Sequence, residues 1–158
     1  ALTLFDCRLE LERLLEEEYL TPEQAEAVDP HRIVRFFHSE LGRRMRGSPE
    51  LRRELRFSLP VSTALHSEGR LEPPAPGGDS ILLQGVVDCC FLEDGAWVIV
   101  DFKTDAASSA SLARTRYAPQ LAAYAHAVSR VTGIPVRECA LYLFSTGDTV
   151  LVPSPEFP

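Results

Sequence analysis

Lysine is the scarcest charge carrier in this sequence. Of 16 basic residues, all but Lys103 are arginines. Arginine is a planar, always-charged fork, whereas lysine is a compact point charge whose proton affinity responds to its surroundings. A single lysine held against that bias, two residues after Asp101, marks a position that arginine cannot fill. Other absences bound the function. No run of about 18 apolar residues occurs, so no membrane span and no membrane partner are expected. The N-terminus lacks a basic region and a long apolar stretch, so a signal peptide is not expected either. It also lacks a start methionine, which suggests a piece of a longer protein. The four cysteines, Cys7, Cys89, Cys90 and Cys139, have neither zinc nor iron–sulfur spacing. They read as reduced thiols of a cytoplasmic protein. No G-x-x-x-x-G-K-[ST] loop is present, so no ATP site is expected, and no internal repeat is visible.

A basic excess is missing too. The formal net charge is −7, which by itself argues against a nucleic-acid partner. The charge is unevenly spread, however. Arg43, Arg44, Arg46, Arg52, Arg53 and Arg56 cluster, while Leu9 to Glu26 is acidic. Local patterns therefore outweigh the sum.

The length suits one domain, 1–158, with an N-terminal helical part at 1–47 and an α/β core at 54–153. Leu4, Leu11, Leu14, Leu15 and Tyr19 have helical spacing over 4–19. Thr21-Pro22-Glu23-Gln24 reads as a capped helix start, and Asp29-Pro30 repeats the signal. A helix is predicted from His31 to Met45, stopping at Gly47. From Glu54 the period becomes two: Leu55, Phe57 and Leu59 alternate with Glu54, Arg56 and Ser58. His66 to Asp79 is rich in Pro, Gly and Glu and reads as a mobile loop. Ile81–Leu92 and Ala96–Lys103 read as strands around an Asp94-Gly95 hairpin turn. A Ser/Ala-rich link over 106–113 precedes a helix from about Tyr117 to Thr132. Strands follow at Glu138–Phe144 and Thr149–Pro153. The fold class is thus α/β, with a mixed central sheet flanked by helices.

Counting outward from a two-residue turn puts Asp88 opposite Asp101. Val87, Cys89 and Phe91 then share one apolar face with Val98, Val100 and Phe102, leaving Asp88, Asp101 and Lys103 on the other. Two carboxylates across a ladder repel, and a cation between them removes the conflict. Two carboxylates, the Phe102 backbone carbonyl and waters suit Mg²⁺, with Mn²⁺ as a substitute. Phosphodiester hydrolysis needs such an ion and a positive group beside the developing charge, the role open to Lys103. Tyr117, Gln120, Leu121, Tyr124 and Val128 fall on one helix face, where Gln120 needs polar partners. Arg114, Arg116 and Tyr117 are candidate DNA contacts. Glu54 reads as an arginine partner more readily than as a metal ligand. His31, His38, His66 and His126 show no ligand spacing.

Gly85-Val86-Val87-Asp88, Asp101-Phe102-Lys103-Thr104 and Tyr117-Ala118-Pro119-Gln120-Leu121-Ala122-Ala123-Tyr124 together resemble the RecB-type nuclease motif set of the PD-(D/E)xK superfamily. Val87 stands where the superfamily name has proline. The stretches 20–24, 36–42 and 53–57 are similar to the AddA components of bacterial AddAB helicase–nucleases. The AddB-type domain, by contrast, holds an iron–sulfur cluster on cysteines that are not found here. The resemblance implies a restriction-endonuclease-like core and Mg²⁺-dependent cleavage of DNA, expected to be single-stranded. It implies Asp88, Asp101 and Lys103 as catalytic residues, with Gln120 and Tyr124 near the active site. The implied partners are DNA, the rest of a helicase chain and a second helicase–nuclease subunit, with broken DNA ends as the target. The family also uses a histidine on a helix upstream of the region represented here, so the isolated domain is expected to be weak or inactive. The alternatives are a non-catalytic nucleic-acid-binding or subunit-docking module on the same fold, and a small-molecule hydrolase. The latter lacks a nucleophile-elbow motif.

Overall fold

The computed structural model describes residues 2–62, 73–104 and 110–152. Four helices come first: α1 (Leu4–Glu16), α2 (Pro22–Ala27), α3 (Pro30–His38) and α4 (Glu40–Gly47). The strands β1 (Leu51–Ser62), β2 (Ser80–Glu93) and β3 (Ala96–Lys103) follow, then α5 (Ala110–Thr132), β4 (Val136–Leu143) and β5 (Asp148–Val152). The five strands lie in chain order, antiparallel except for the parallel β3–β4 pair that α5 connects. One face of this mixed sheet packs on Leu121, Ala125 and Val128 of α5. The other packs on Phe36, Leu41 and Met45 of α3 and α4. No described helix is long and apolar enough to cross a membrane.

Local chemistry explains most of the boundaries. Thr21 Oγ accepts the Gln24 N–H while Gln24 Oε1 accepts the Thr21 N–H, the reciprocal cap expected at α2. Asp29 accepts the His31 N–H at the start of α3. The predicted single helix from His31 to Met45 is instead two helices. Ser39 is extended, and its hydroxyl donates to the Phe36 carbonyl and accepts the Gly42 N–H. Gly42 is required at this break, because a Cβ there would lie 2.1 Å from the Phe36 oxygen. α1 ends at Glu16, short of Tyr19, and Glu18 adopts a left-handed backbone. α5 starts at Ala110 rather than near Tyr117, so Pro119 is interior to it. Residues 73–79 carry a turn and no strand, and the rest of the expected loop lies outside the described residues, as do residues 106–109 of the expected link and Pro153.

The hairpin turn is as expected: Asp94 and Gly95 both have positive φ, and Glu93 pairs with Ala96. From there the ladder runs in the predicted register to Cys89–Val100. The face assignment needs one correction. Cys89, Phe91, Val98 and Val100 share the α3–α4 side with Phe102, but Val87 packs on the α5 side with Cys90 and Ile99. Side-chain alternation therefore slips by one at Asp88. The same slip occurs across the ladder in β1, where Glu54 takes a positive φ of 51° and the Glu54–Asp88 pair is missing. A non-glycine residue in that conformation costs about 1–2 kcal/mol. The distortion behaves as a bulge, which re-aims side chains at a chosen point.

Candidate functional site

Asp88, Asp101 and Lys103 converge at this irregularity. Asp101 is only 2% exposed, at the end of the apolar run Trp97–Val100. Its Oδ2 lies 2.7 Å from Lys103 Nζ. Asp88 makes no ladder pair; its Oδ2 accepts the Phe102 N–H at 2.9 Å instead. A strand residue directs its N–H and C=O to the same side, so the Phe102 carbonyl is also directed toward β2 and Asp88. Both acids act electrostatically on Lys103 and on Tyr124. Burial pulls the Lys103 proton affinity down, but the adjoining Asp101 carboxylate outweighs it, and the ammonium is held above its ordinary value.

α5 supplies a polar relay to the same point. Lys103 Nζ donates to Gln120 Oε1 at 3.3 Å, and Gln120 Nε2 donates to the Tyr124 hydroxyl at 3.0 Å. This accounts for an amide on a helix face that otherwise carries Leu121 and Val128 into the core. Burial, ahead of the nearby Asp101 charge, raises the Tyr124 phenol above its usual value. The Tyr117 ring lies 4.4 Å from Lys103 Nζ and 5.2 Å from the Arg116 guanidinium. Arg114 is exposed one turn before Ala118. Gly85 explains why Tyr124 can approach β2: a Cβ there would stand 2.7 Å from the Phe57 ring, which packs edge-on against Tyr124 at 5.9 Å.

The reading of Glu54 as an arginine partner is corrected: among the described residues it makes no ion pair. Glu54 instead lines a depression of about 490 Å³ with Arg53, Asp88 and Phe102. No sequence signal places Arg53 or the Phe102 amide at this site, because their position depends on the backbone turn at Glu54. Of the histidines, His126 is buried in α5, and burial lowers its proton affinity. His38 bonds the Leu2 carbonyl. The four cysteines are free and buried; burial pushes Cys89 and Cys139 up to about 12 and Cys90 to about 11.

The donor set fits a hard divalent cation in kind: two carboxylates and a backbone carbonyl are all oxygen ligands. Among the described residues no group of three His, Cys, Asp or Glu side chains is gathered, so water would complete the shell.

An acid on β2, an acid and a lysine two residues apart at the end of β3, and a glutamine–tyrosine pair on the next helix form one ordered pattern. The pattern of the PD-(D/E)XK nuclease superfamily matches residues 3–151, and the chain belongs to that superfamily. Its mixed sheet flanked by helices is the restriction-endonuclease-like core. The chain is similar to proteins named as the A component of an ATP-dependent helicase/nuclease. The one from Acetivibrio thermocellus is 41% identical over 145 residues, covering 90% of this chain and 11% of that protein. The one from Geobacillus kaustophilus is 39% identical over 154 residues, covering 92% and 12%. The one from Clostridium botulinum (strain Loch Maree / Type A3) is 34% identical over 147 residues, covering 93% and 11%. The chain thus spans roughly a tenth of the length of these relatives.

Proposed function

We propose that residues 1–158 form the nuclease domain of a cytoplasmic helicase–nuclease that processes DNA ends, hydrolysing phosphodiester bonds of single-stranded DNA with Mg²⁺. The observation that carries this reading is the buried Asp101 carboxylate, 2.7 Å from the only lysine, beside an Asp88 carboxylate anchored on the Phe102 amide. Asp88, Asp101 and the Phe102 carbonyl would hold the divalent ion. When bound, that ion polarises the phosphoryl oxygen and lowers the pKa of water. The chain's own residues do the rest. Lys103 stays protonated beside Asp101 and presents a fixed positive charge to the attacking water and the developing phosphorane oxygens. Gln120 accepts from Lys103 and is itself oriented by Tyr124, so the ammonium is aimed before substrate arrives. Arg114, Arg116 and Tyr117 hold the DNA near this end of α5. The remainder of the longer chain and a second helicase–nuclease subunit would deliver the strand.

The test is Mn²⁺-dependent cleavage of a labelled single-stranded oligonucleotide. Asp101→Asn is expected to remove cleavage while the circular dichroism spectrum stays that of the folded chain. Undiminished cleavage by that variant overturns the reading. One observation favours a second reading, a non-catalytic nucleic-acid-binding or docking module: no three described acidic side chains are gathered closely enough to hold an ion. Calorimetry separates the two, since the module binds neither Mg²⁺ nor Mn²⁺ at Asp88 and Asp101.

A further inference from the structure

Beyond the bulge, β1 and β2 continue as a two-stranded arm, because the β2–β3 ladder stops at Cys89. One face of the arm, Leu55, Phe57, Leu59, Leu83 and Val87, packs into the α5-side core. Among the described residues no helix lies over the other face. Arg56, Ser58, Leu82, Gln84 and Val86 are all exposed there, and neither α3 nor α4 reaches them. A groove of about 540 Å³ runs over Arg56, Ser58, Gln84 and Val86. The register sets Arg56 against Val86, two residues along β2 from Asp88, a step of about 7 Å. The depression lined by Arg53 and Asp88 is thus the next station along the same strands.

The arginines here differ from five of the others. Arg13, Arg32, Arg44, Arg52 and Arg137 each face a carboxylate. Arg53 and Arg56 make no hydrogen bond or ion pair among the described residues. In a chain of net charge −7, two uncommitted guanidinium groups in line on an uncovered face are a site for a partner that carries its own regularly spaced anions. Ser58 and Gln84, bonded to each other at 3.2 Å, add polar contacts between them. Val86 and Leu82 add exposed apolar surface. A ribbon of two strands set about 5 Å apart is wide enough for one sugar–phosphate chain. It carries no exposed aromatic ring on which bases would be read.

We propose that this uncovered face of the β1–β2 arm is a track for the backbone of single-stranded DNA, with Arg56 and then Arg53 binding successive phosphates as the strand approaches Asp88. The proposal rests on the nuclease reading for its substrate, and it predicts binding without sequence preference.

The test measures fluorescence anisotropy of a labelled 20-mer on the whole chain in Ca²⁺, as a function of NaCl. Arg53→Gln/Arg56→Gln is expected to weaken binding about tenfold or more. It should also lower the slope of log Kobs against log[NaCl] by about 1.4, since each single-strand phosphate contact contributes about 0.7. Arg53→Lys/Arg56→Lys keeps most of the slope. Arg8→Gln/Arg130→Gln, a control pair remote from the groove, changes neither quantity. An unaltered affinity and slope in Arg53→Gln/Arg56→Gln overturns the track, as does failure of the unsubstituted chain to bind the 20-mer. Equal binding of a blunt duplex with the same loss overturns the single-strand assignment. Mn²⁺ binding by the unsubstituted chain is scored separately by calorimetry: DNA binding that depends on the two arginines with no Mn²⁺ bound at Asp88 and Asp101 sinks the nuclease reading and leaves the track standing.

Discussion

The β2–β3 hairpin has two charged ends, and they solve opposite problems. At the closed end Arg44 binds Glu93 at 2.7 Å and Glu138 at 2.9 Å, while Arg137 reaches Asp94 at 2.9 Å. Guanidinium forks match carboxylates there, and the cluster fastens α4 to the sheet. At the open end Asp88 and Asp101 share one ammonium, with Asp101 almost fully buried. A protein that has arginines to spare, and pairs them with acids at one end, sets a lysine beside the buried carboxylate at the other. One ammonium for two carboxylates is a balance that a divalent ion and a phosphodiester substrate would complete. Charge that is balanced within the chain holds the fold; charge that is left unbalanced in a buried place is available for chemistry.

The sharpest way to break this contrast is Lys103→Arg. If only charge mattered at the open end, arginine would serve as it does elsewhere. A planar fork cannot occupy the point position between Asp101 and Gln120, so cleavage is expected to fall at least about a hundredfold, measured on a labelled oligonucleotide. Arg44→Ala probes the opposite end. It leaves Glu138 without its arginine and Glu93 with Arg137 alone, at 3.6 Å, with an expected loss of about 1–3 kcal/mol in urea unfolding and no change in cleavage per folded molecule. Asp88→Asn should do the reverse of Arg44→Ala. The amide still accepts the Phe102 N–H, so metal-free stability should change by no more than about 1 kcal/mol. The stabilisation that Mn²⁺ gives the unsubstituted protein should disappear. A melting series with and without Mn²⁺ reads both.

The smallest effect concerns pH. The Arg44 hydrogen bond holds Glu93 below its ordinary value of 4.5, against a smaller opposing effect of burial. A carboxylate whose folded pKa is depressed contributes stability that is complete above the unfolded value and lost as pH falls through the folded one. The stability gap between the unsubstituted chain and Arg44→Ala is therefore expected to be full above about pH 4.5 and to narrow below it. A gap that stays constant across that range would remove Glu93 from the network.

Much of the site was legible because it rests on local rules. Asp94-Gly95 dictates a two-residue turn, and that turn fixes which residues of β2 and β3 meet as far as Cys89–Val100, where the ladder ends without the expected Asp88–Asp101 pair. The single lysine stood out by composition, and the 3.6-residue period put Gln120 and Tyr124 on one helix face. What escaped is equally specific. The two cores accept Val87 only on the α5 side, while Cys89 goes to the α3–α4 side, so strict alternation fails between them. The helix over 31–45 divides because Ser39 caps α4 and the Phe36 carbonyl leaves no room for a side chain at residue 42. Neither event has a signature in the spacing of apolar residues.

By itself, then, the sequence determined the turns, the caps, the register of the central hairpin and the residues eligible for chemistry, since each depends on atoms a few positions apart. Only the tertiary structure decided that Glu54 would turn left-handed opposite Asp88, that Asp88 would bind the Phe102 amide rather than continue the ladder, and that Arg53 and Arg56 would be left without partners among the described residues. Those outcomes come from packing a single sheet against helices on both faces at once. The strain of that compromise gathers where the two cores meet, beside the acidic pair.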